Sequence, residues 1–248
     1  LLDIETSPIM GYTWGTYEQN VLEVIEPSKI ISCAWKWLDS DRIYVKAIND
    51  YKDYVPNVVE DKSLIKDVWE VLDAADVVIA HNGDSFDIKK LNARFIFHRM
   101  NAPSDYKTVD TLKSAKKYFR FDSNSLNALG SYFNEGLKLN NGGFSLWTRC
   151  MKGDVKAWDL MKEYNARDVE LLERVFLRLR PFIANHPDLT LLNKSTGDLS
   201  CSSCLSKNVV KRGFLYTRTT RKQRFQCGDC GAWGSGHPER IKADDAGS

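Results

Sequence analysis

The first residues of the chain alternate between hydrophobic and polar positions in the pattern of a β-strand. In LLDIETSP, Leu2 and Ile4 share one face and Asp3 and Glu5 share the other. Such a strand packs its apolar face against a core and presents two carboxylates side by side on the opposite face.

The apolar positions that follow predict further strands and then helices. Residues 31–38 and 42–48 are apolar runs joined by a short polar turn, and they predict a hairpin that continues the sheet. Residues 76–82 form a continuous apolar run, which is typical of a strand buried on both faces. Residues 106–119 predict a short strand that turns into a basic helix. Other segments carry apolar residues at helical spacing and predict helices: residues 63–75, 86–100, 125–133 and 154–179.

Several residue types mark where these elements begin and end. Ser63 is a candidate N-cap for one helix, and Ser123 or Ser125 for another. Pro181 closes the last long helix. Residues 136–150 are rich in Asn and Gly, so we expect a mobile loop there.

The order of the elements predicts an α/β fold with a mixed sheet flanked by helices, because strands come first and then alternate with helices. Residues 186–200 lose the periodicity and gain polar residues, which is typical of a linker. We therefore expect the following organisation: a domain over residues 1–182, a linker over 183–200, a small module over 201–240 and a tail over 241–248.

Length and composition are compatible with a packed core. The chain has 248 residues, of which 43% are hydrophobic and 27% charged. It has no apolar run long enough for a membrane span and no signal-like start, so we expect a soluble cytoplasmic protein. It opens without Met inside a predicted strand, and we expect native residues before Leu1.

The net charge of +2 is unevenly distributed. Residues 201–248 contain nine Lys and Arg against four Asp and Glu, whereas residues 1–200 contain 26 against 29. This asymmetry predicts a C-terminal module that binds phosphate groups and an N-terminal domain that binds metal ions.

Asp3 and Glu5 are the first candidates for a metal-binding site. Two like charges side by side on a strand are unfavourable unless a cation lies between them, and a divalent metal ion meets that need. The alternative is an edge strand with a solvated acidic face.

Two further acidic positions lie where a crevice is expected. Asp87 follows Asn82 at the carboxyl end of a predicted buried strand, where α/β sheets place their sites. Its alternative role is to help start the helix near Phe86. Tyr164 and Asp168 are four residues apart, so a helix places them on one face, about 6 Å apart along its axis. As an alternative, such a pair is common on protein surfaces.

Together these signals read DxE on a first strand, NxxxFD after a central strand and YxxxD on a late helix. The chain resembles the DnaQ-like 3'-5' exonucleases of the DEDD superfamily, in the branch that carries Tyr in the third motif. The resemblance covers residues 1–182 and includes VDTL (109–112) and the terminal LRPF. The chain is also similar to predicted exonucleases, many of them phage-encoded, that carry an appended zinc ribbon.

The resemblance implies a ribonuclease H-like fold and two Mg²⁺ or Mn²⁺ ions per active site. Asp3 would bridge both ions, while Glu5 and Asp168 would complete the site of the ion that holds the attacking water. Asp87 would support the second ion, directly or through water, and the Tyr164 hydroxyl would orient the attacking water.

The implied activity is removal of nucleotides from the 3' end of single-stranded nucleic acid, with DNA favoured over RNA. The implied partners are single-stranded DNA or RNA 3' ends and a replication or repair protein, with no membrane. Two alternatives remain open at this point: a non-catalytic nucleic-acid-binding protein that uses the ribbon, and a structure-specific endonuclease on the same fold.

Candidate substrate contacts surround these motifs. Related enzymes contact the terminal nucleotide just after the first motif, which points to Thr6, and Asn82 adjoins the crevice. Lys138 and Trp147 lie in or beside the predicted loop, where they can bind the end of a nucleic-acid strand by charge and stacking. The alternative is that both belong to a solvated loop without a binding role. Asp110 is expected to cap a helix rather than bind metal.

Six cysteines divide into two isolated residues and two close pairs. Cys33 and Cys150 are expected to be buried or inert thiols. CSSC and CGDC, separated by 22 residues, predict a structural Zn²⁺ held by four thiolates: Cys201, Cys204, Cys227 and Cys230. A pair of disulfides is the alternative, which a reducing cytosol disfavours.

Basic and aromatic residues interleave between the two cysteine pairs. This composition is typical of surfaces that bind single-stranded nucleic acid. The aromatic residues also fit an alternative role in stabilising the module's own sheet. The basic candidates for nucleic-acid contact are Arg218, Arg221, Lys222 and Arg224.

Overall fold

The protein is described by a computed structural model that covers residues 1–17, 19–139, 142–184, 186–192 and 200–240. It divides into two compact units, Leu1–Val175 and Phe176–Ser248. The mixed α/β class predicted from the sequence is confirmed. No helix among the described residues is both long enough and apolar enough to cross a bilayer.

The strands of the first unit are β1 (Leu2–Thr6), β2 (Met10–Tyr12), β3 (Glu23–Glu26), β4 (Ile30–Lys36), β5 (Ile43–Ala47), β6 (Val77–Ala80) and β7 (Lys107–Asp110). The helices are α1 (Lys62–Asp73), α2 (Asp87–Phe97), α3 (Thr111–Tyr118), α4 (Leu126–Tyr132), α5 (Phe144–Met151) and α6 (Val155–Leu179), of which α6 ends beyond the first unit.

The sheets of the first unit combine antiparallel and parallel pairings. Strand β4 lies between β1 and β5 and is antiparallel to both, so the predicted hairpin is confirmed. Strands β6 and β7 pair in parallel, and β6 runs beside β1. The chain after β6 reaches β1, because Asp87 accepts a hydrogen bond from the Ile4 amide.

The core forms where the apolar faces of these elements meet. Leu2 and Ile4 of β1 are buried, as the alternation predicted. Leu64 on α1 and Trp158 on α6 are likewise buried, and they join β1 in one apolar cluster. Full burial of such side chains contributes about 1.5–3 kcal/mol each.

The predicted element ends are partly confirmed. Ser125 caps α4 and Asp110 caps α3, where the Asp110 carboxylate accepts hydrogen bonds from two backbone amides. Helix α6 ends at Leu179, before Pro181. The expectation for Ser63 was wrong, because α1 begins one residue earlier and the Ser63 hydroxyl donates to Asp53.

The predicted mobile loop over residues 136–150 was wrong in its second half. Helix α5 begins at Phe144 and buries Leu146 and Cys150, which lie four residues apart on one face. The two glycines before the helix are typical of a loop and led to this prediction. Gly143, with φ of 72°, is instead the residue at which the chain turns into the helix. The hairpin formed by β2 and β3 was not predicted, and it exposes most of its apolar side chains.

The second unit contains α7 (Leu189–Leu192), β8 (Val209–Tyr216), β9 (Thr220–Cys227), β10 (Trp233–Ser235) and β11 (Glu239–Arg240). Strand β9 pairs antiparallel with each of the other three strands. Helix α7 falls within the predicted linker, of which residues 193–199 lie outside the described residues, as does the predicted tail.

Asp61 is a fully buried carboxylate that ties three elements together. It accepts hydrogen bonds from the Ile30 amide of β4 at 3.1 Å, from Nε and Nη2 of Arg94 on α2 at 2.7 Å each, and it contacts Nε2 of His98 at 2.7 Å. The neighbouring Glu60 completes a group of possible metal ligands, but the Arg94 guanidinium already neutralises Asp61. We interpret this cluster as structural.

Asp61→Ala is expected to lower the free energy of unfolding by about 3–5 kcal/mol, because it leaves the buried Arg94 guanidinium without a counter-charge. Chemical denaturation followed by tryptophan fluorescence measures this loss. The exposed carboxylate of Asp53 provides the control, and Asp53→Ala is expected to cost less than about 1 kcal/mol. Equal losses in the two variants would contradict a structural role for Asp61.

Candidate active site

Three carboxylates meet beside the end of β1. The alternation of the strand turns Asp3 and Glu5 away from Leu2 and Ile4, and α6 brings Asp168 against them. One carboxylate oxygen from each of Asp3, Glu5 and Asp168 lies within 4.8 Å of the others. The structure thus brings together residues from the first and third sequence motifs.

Asp87 lies next to this cluster at the first position of α2. Its Oδ1 accepts a hydrogen bond from the Ile4 amide at 3.1 Å, which ties the start of α2 to β1. Its charge also acts on Asp3, although it is outside the group of three close carboxylates. Its placement fits support of a second ion, which stays a prediction.

Asn165 is a site residue that sequence reasoning missed. Its Nδ2 donates to Oδ2 of Asp3 at 2.6 Å, and its Oδ1 accepts from the Ser32 hydroxyl at 2.8 Å. The residue is fully buried. The available signal was a polar residue directly after Tyr164 on the inner face of a helix.

Lys138 is the cation within the cluster. Its Nζ lies 2.5 Å from Oδ2 of Asp168 and 3.3 Å from the Tyr164 hydroxyl. Burial disfavours the ammonium charge, but Asp168 outweighs that effect and raises the pKa of Lys138. Lys138, predicted as a nucleic-acid contact, therefore also neutralises one of the four clustered carboxylates.

Burial and mutual repulsion raise the pKa values of these groups. Burial, then the charges of Asp87, Glu5 and Asp168, raise the pKa of Asp3 well above its usual range. Burial and the Asp168 charge raise the pKa of Glu5 to about 8, and burial raises the pKa of Asp87 to about 6. Burial also raises the pKa of Tyr164, with Asp168 acting in the same direction.

The residues present fit a hard divalent cation. Oδ1 of Asp168 is buried and has no hydrogen-bond partner in the part of the chain that the structure describes. Such an atom is destabilising unless a ligand meets it. Carboxylate oxygens are the donors that Mg²⁺ and Mn²⁺ prefer, and Lys138 alone leaves three of the four negative charges uncompensated.

This arrangement predicts a pH-dependent response to metal. Because the folded-state pKa of Glu5 is raised from 4.5 to about 8, the metal-free protein loses stability as the pH rises through that interval. A divalent cation binds the deprotonated form, so we expect Mn²⁺ to raise the melting temperature more at about pH 9 than at about pH 6.

Differential scanning fluorimetry with and without Mn²⁺ at the two pH values measures the response. In Glu5→Gln, which cannot titrate at this position, the pH dependence of the metal effect is expected to become smaller. A metal-induced shift of the same size at both pH values in the parent protein would contradict the interpretation.

A groove of about 460 Å³ opens beside the carboxylates, and it is bordered by Thr6, Ser7, Pro8, Gly143, Phe144 and Trp147. The Trp147 side chain opposes the rise in the pKa of Glu5, and its ring lies 6.1 Å from that of Tyr164 in an edge-on arrangement. Thr6 and Trp147 were predicted from the sequence, whereas the exposed Phe144 was not. Thr6 directly follows Glu5 in the chain, so the groove begins next to the carboxylates, and its lining is mainly apolar.

The residues at the end of β6 have structural contacts. His81 Nδ1 lies 2.9 Å from the Thr111 hydroxyl, and burial lowers the pKa of His81 to about 4, so the ring is neutral. Asn82 has a left-handed φ of 67°, and its amide donates to the capping carboxylate of Asp110. A substrate contact by Asn82 stays a prediction.

The four C-terminal cysteines converge in the second unit. Sγ of Cys201 lies 3.6 Å from Sγ of Cys230, and Sγ of Cys204 lies 3.6 Å from Sγ of Cys227. A disulfide requires about 2.05 Å, whereas thiolates around tetrahedral zinc lie about 3.8 Å apart, given bonds of about 2.3 Å. The four cysteines form no disulfide in this structure, and their spacing is compatible with zinc. Cys33 and Cys150 are free and buried, as expected.

The basic residues of the second unit lie on both faces of its sheet. Residues 221 and 222 are neighbours on β9, so Arg221 lies on one face while Lys222 and Arg224 lie on the other. The guanidinium of Arg224 lies 5.5 Å from the centre of the exposed Trp233 ring, which the sequence analysis did not include. Arg218 is exposed in the turn between β8 and β9.

Comparison with known families finds a match to the sequence model of the RNase_H superfamily over residues 39–180. The matched segment includes Asp87, Lys138, Tyr164 and Asp168, and β1 with its two carboxylates precedes it. A search of curated proteins finds no match.

Proposed function

Because the chain belongs to the RNase H superfamily, we propose that it is a metal-dependent 3'-5' exonuclease of the DnaQ-like group, in the branch with a third-motif tyrosine. The family and the acidic site indicate a nuclease in general. The observation that carries the finer proposal is the meeting of Asp3, Glu5 and Asp168 within 4.8 Å, with Tyr164 one helical turn from Asp168.

The carboxylates define where metal would bind. Asp3, Glu5 and Asp168 would hold one divalent cation, and Asp3 with Asp87 would hold a second. When bound, such ions acidify the attacking water and neutralise charge on the phosphodiester. Asn165 fixes the orientation of Asp3 through its 2.6 Å hydrogen bond.

The remaining site residues would act on the substrate. Thr6, Phe144 and Trp147 border the groove that would receive the terminal nucleotide. The Lys138 ammonium would offset negative charge as the phosphate approaches Asp168. The Tyr164 hydroxyl would orient the attacking water rather than take its proton, since its raised pKa keeps the hydroxyl protonated at neutral pH.

Tyr164→Phe is therefore expected to retain measurable activity, with a rate reduced by about 10- to 100-fold, because it removes a positioning hydroxyl but leaves every carboxylate in place. Single-turnover cleavage of a single-stranded oligonucleotide gives the rate. A loss as complete as that caused by removing a carboxylate would show that Tyr164 has an essential role that the structure does not explain.

A gel time course with Mn²⁺ or Mg²⁺ tests the proposed function. The substrates are matched single-stranded DNA and RNA labelled at the 5' end, with a circular single strand in parallel and Asp168→Asn as the control. A ladder that shortens from the 3' end, absent with the control and with the circle, is the expected result, and the faster substrate identifies the preferred sugar. Cleavage of the circle would favour an endonuclease.

Binding without cleavage would favour a nucleic-acid-binding protein with a silent nuclease domain. In that case a salt-sensitive complex would form on both strands and would be unchanged by Asp168→Asn. That combination of results would overturn the catalytic proposal.

A further inference from the structure

Helix α3 and the segment after it form a basic surface outside the site described above. Residues 111–133 contain four Lys and Arg against one Asp. Lys113 is paired with Asp84 at 2.8 Å, whereas Lys116, Lys117 and Arg120 are exposed. This surface therefore carries a net positive charge, whereas the first unit as a whole has a net negative charge in its sequence.

Aromatic rings gather beside these cations. The Phe121 ring stacks on that of Phe119 with centres 5.0 Å apart, and it meets Tyr132 at 5.0 Å and Phe133 at 5.6 Å. Tyr132 is 68% exposed, so this cluster is not closed by the core. Ring faces next to exposed cations are what proteins use to stack bases and to bind phosphates of single-stranded nucleic acid.

A hydrogen bond connects this surface to the carboxylate site. The Lys138 amide donates to Oδ1 of Asn127, which lies on α4 between the basic residues and Tyr132, at 2.8 Å. At the end of β6, His81 also contacts Thr111, the first residue of α3. Lys138 belongs to the carboxylate cluster, so the basic surface begins at the edge of the active site.

We infer that Lys116, Lys117, Arg120, Phe121 and Tyr132, the α3 patch, bind the single strand upstream of the nucleotide that is removed. This inference rests on the proposed function, since it assumes that a strand end enters the carboxylate site. The cations meet backbone phosphates, and the Tyr132 and Phe121 rings receive a base. The patch thus holds the strand without reading its sequence.

Binding is measured with a labelled single strand by fluorescence anisotropy across a salt series, in the full chain carrying Asp3→Asn so that the strand stays intact. Adding Lys116→Ala and Lys117→Ala is expected to weaken binding by about 10-fold, and to reduce the slope of log K against log salt by about 1.4 for two lost phosphate contacts. The matched control is Lys62→Ala with Lys66→Ala, two exposed lysines on α1.

The aromatic contribution is tested separately. Tyr132→Ala is expected to weaken binding about 5-fold or more with an unchanged salt slope, whereas Tyr132→Phe, which keeps the ring, is expected to bind as the parent does. Loss of affinity in Tyr132→Phe equal to that in Tyr132→Ala would contradict base stacking.

The length dependence of cleavage gives a second readout in the active chain. The ratio of kcat/KM for a long single strand to that for a dinucleotide is expected to fall in the Lys116→Ala, Lys117→Ala variant. An equal fall for both substrates, or binding no weaker than in the α1 control, would overturn the α3 patch. If the parent chain cleaves neither substrate, the proposed function fails. The anisotropy results would still show whether the α3 patch binds a single strand.

Discussion

Asp3→Asn is expected to reduce phosphodiester cleavage by about 10³-fold or more, equivalent to about 4 kcal/mol of transition-state stabilisation. Asp3 lies within 4.8 Å of Glu5 and Asp168, and the charges of these two residues and of Asp87 all act on it. Asn has the same shape and removes only the charge, so the effect reports on cation binding rather than on packing.

The same substitution is expected to stabilise the protein in the absence of divalent metal. It removes a carboxylate whose ionised form is disfavoured by burial and by the charges of three neighbours, so the melting temperature should rise. A variant that loses activity while it gains stability identifies a residue kept for function.

The measurements are single-turnover cleavage at saturating enzyme and thermal unfolding without added metal. Asp159→Asn is the matched control, because Asp159 is an exposed carboxylate on the same helix as Asp168. Activity of Asp3→Asn within about 10-fold of the parent would place catalysis elsewhere in the molecule.

Loss of zinc is expected to unfold the β8–β11 sheet. The buried apolar cluster around the four cysteines consists of Cys201, Cys227 and Ala232, with Val209 partly buried against it. So small a core does not offset the entropy of ordering the chain, whereas a structural zinc contributes about 10–16 kcal/mol of apparent binding free energy.

Cys227→Ser tests this directly, because it removes one thiolate without deleting a segment. We expect one bound zinc per chain in the parent by elemental analysis, a deficit in the variant, and rapid proteolysis within residues 200–240. Ser202→Ala, between two of the ligands, is the control. A zinc-free parent whose C-terminal sheet resists proteolysis would show that the four thiols do not form a metal site.

Much of the site was predictable because short-range periodicity determines which side chains share a face. The alternation of a strand is enough to place Asp3 with Glu5, and the turn of a helix is enough to place Tyr164 with Asp168. The position of Asp87 followed from the rule that sites lie at the carboxyl ends of strands, although its bond to the Ile4 amide did not.

The missed contacts depend on distances along the chain that no local pattern encodes. Lys138 meets Asp168 across thirty residues, and it lies in a segment without regular spacing. Asn165 meets Asp3 across 162 residues. Helix α5 was missed because its Gly-rich start resembles a loop, and its apolar face shows only two buried residues.

The two hydrogen bonds of Asn165 restrict the Asp3 side chain in the metal-free protein. Its amide is held by Ser32 on one side and holds the Asp3 carboxylate on the other, so Asp3 cannot rotate away from its acidic neighbours to relieve their repulsion. The carboxylate therefore has little rotational freedom left to lose when a cation arrives. The fold orders this side chain in the absence of a ligand, so a bound cation would not have to order it, and part of the stability lost to carboxylate repulsion would be recovered as affinity for the cation.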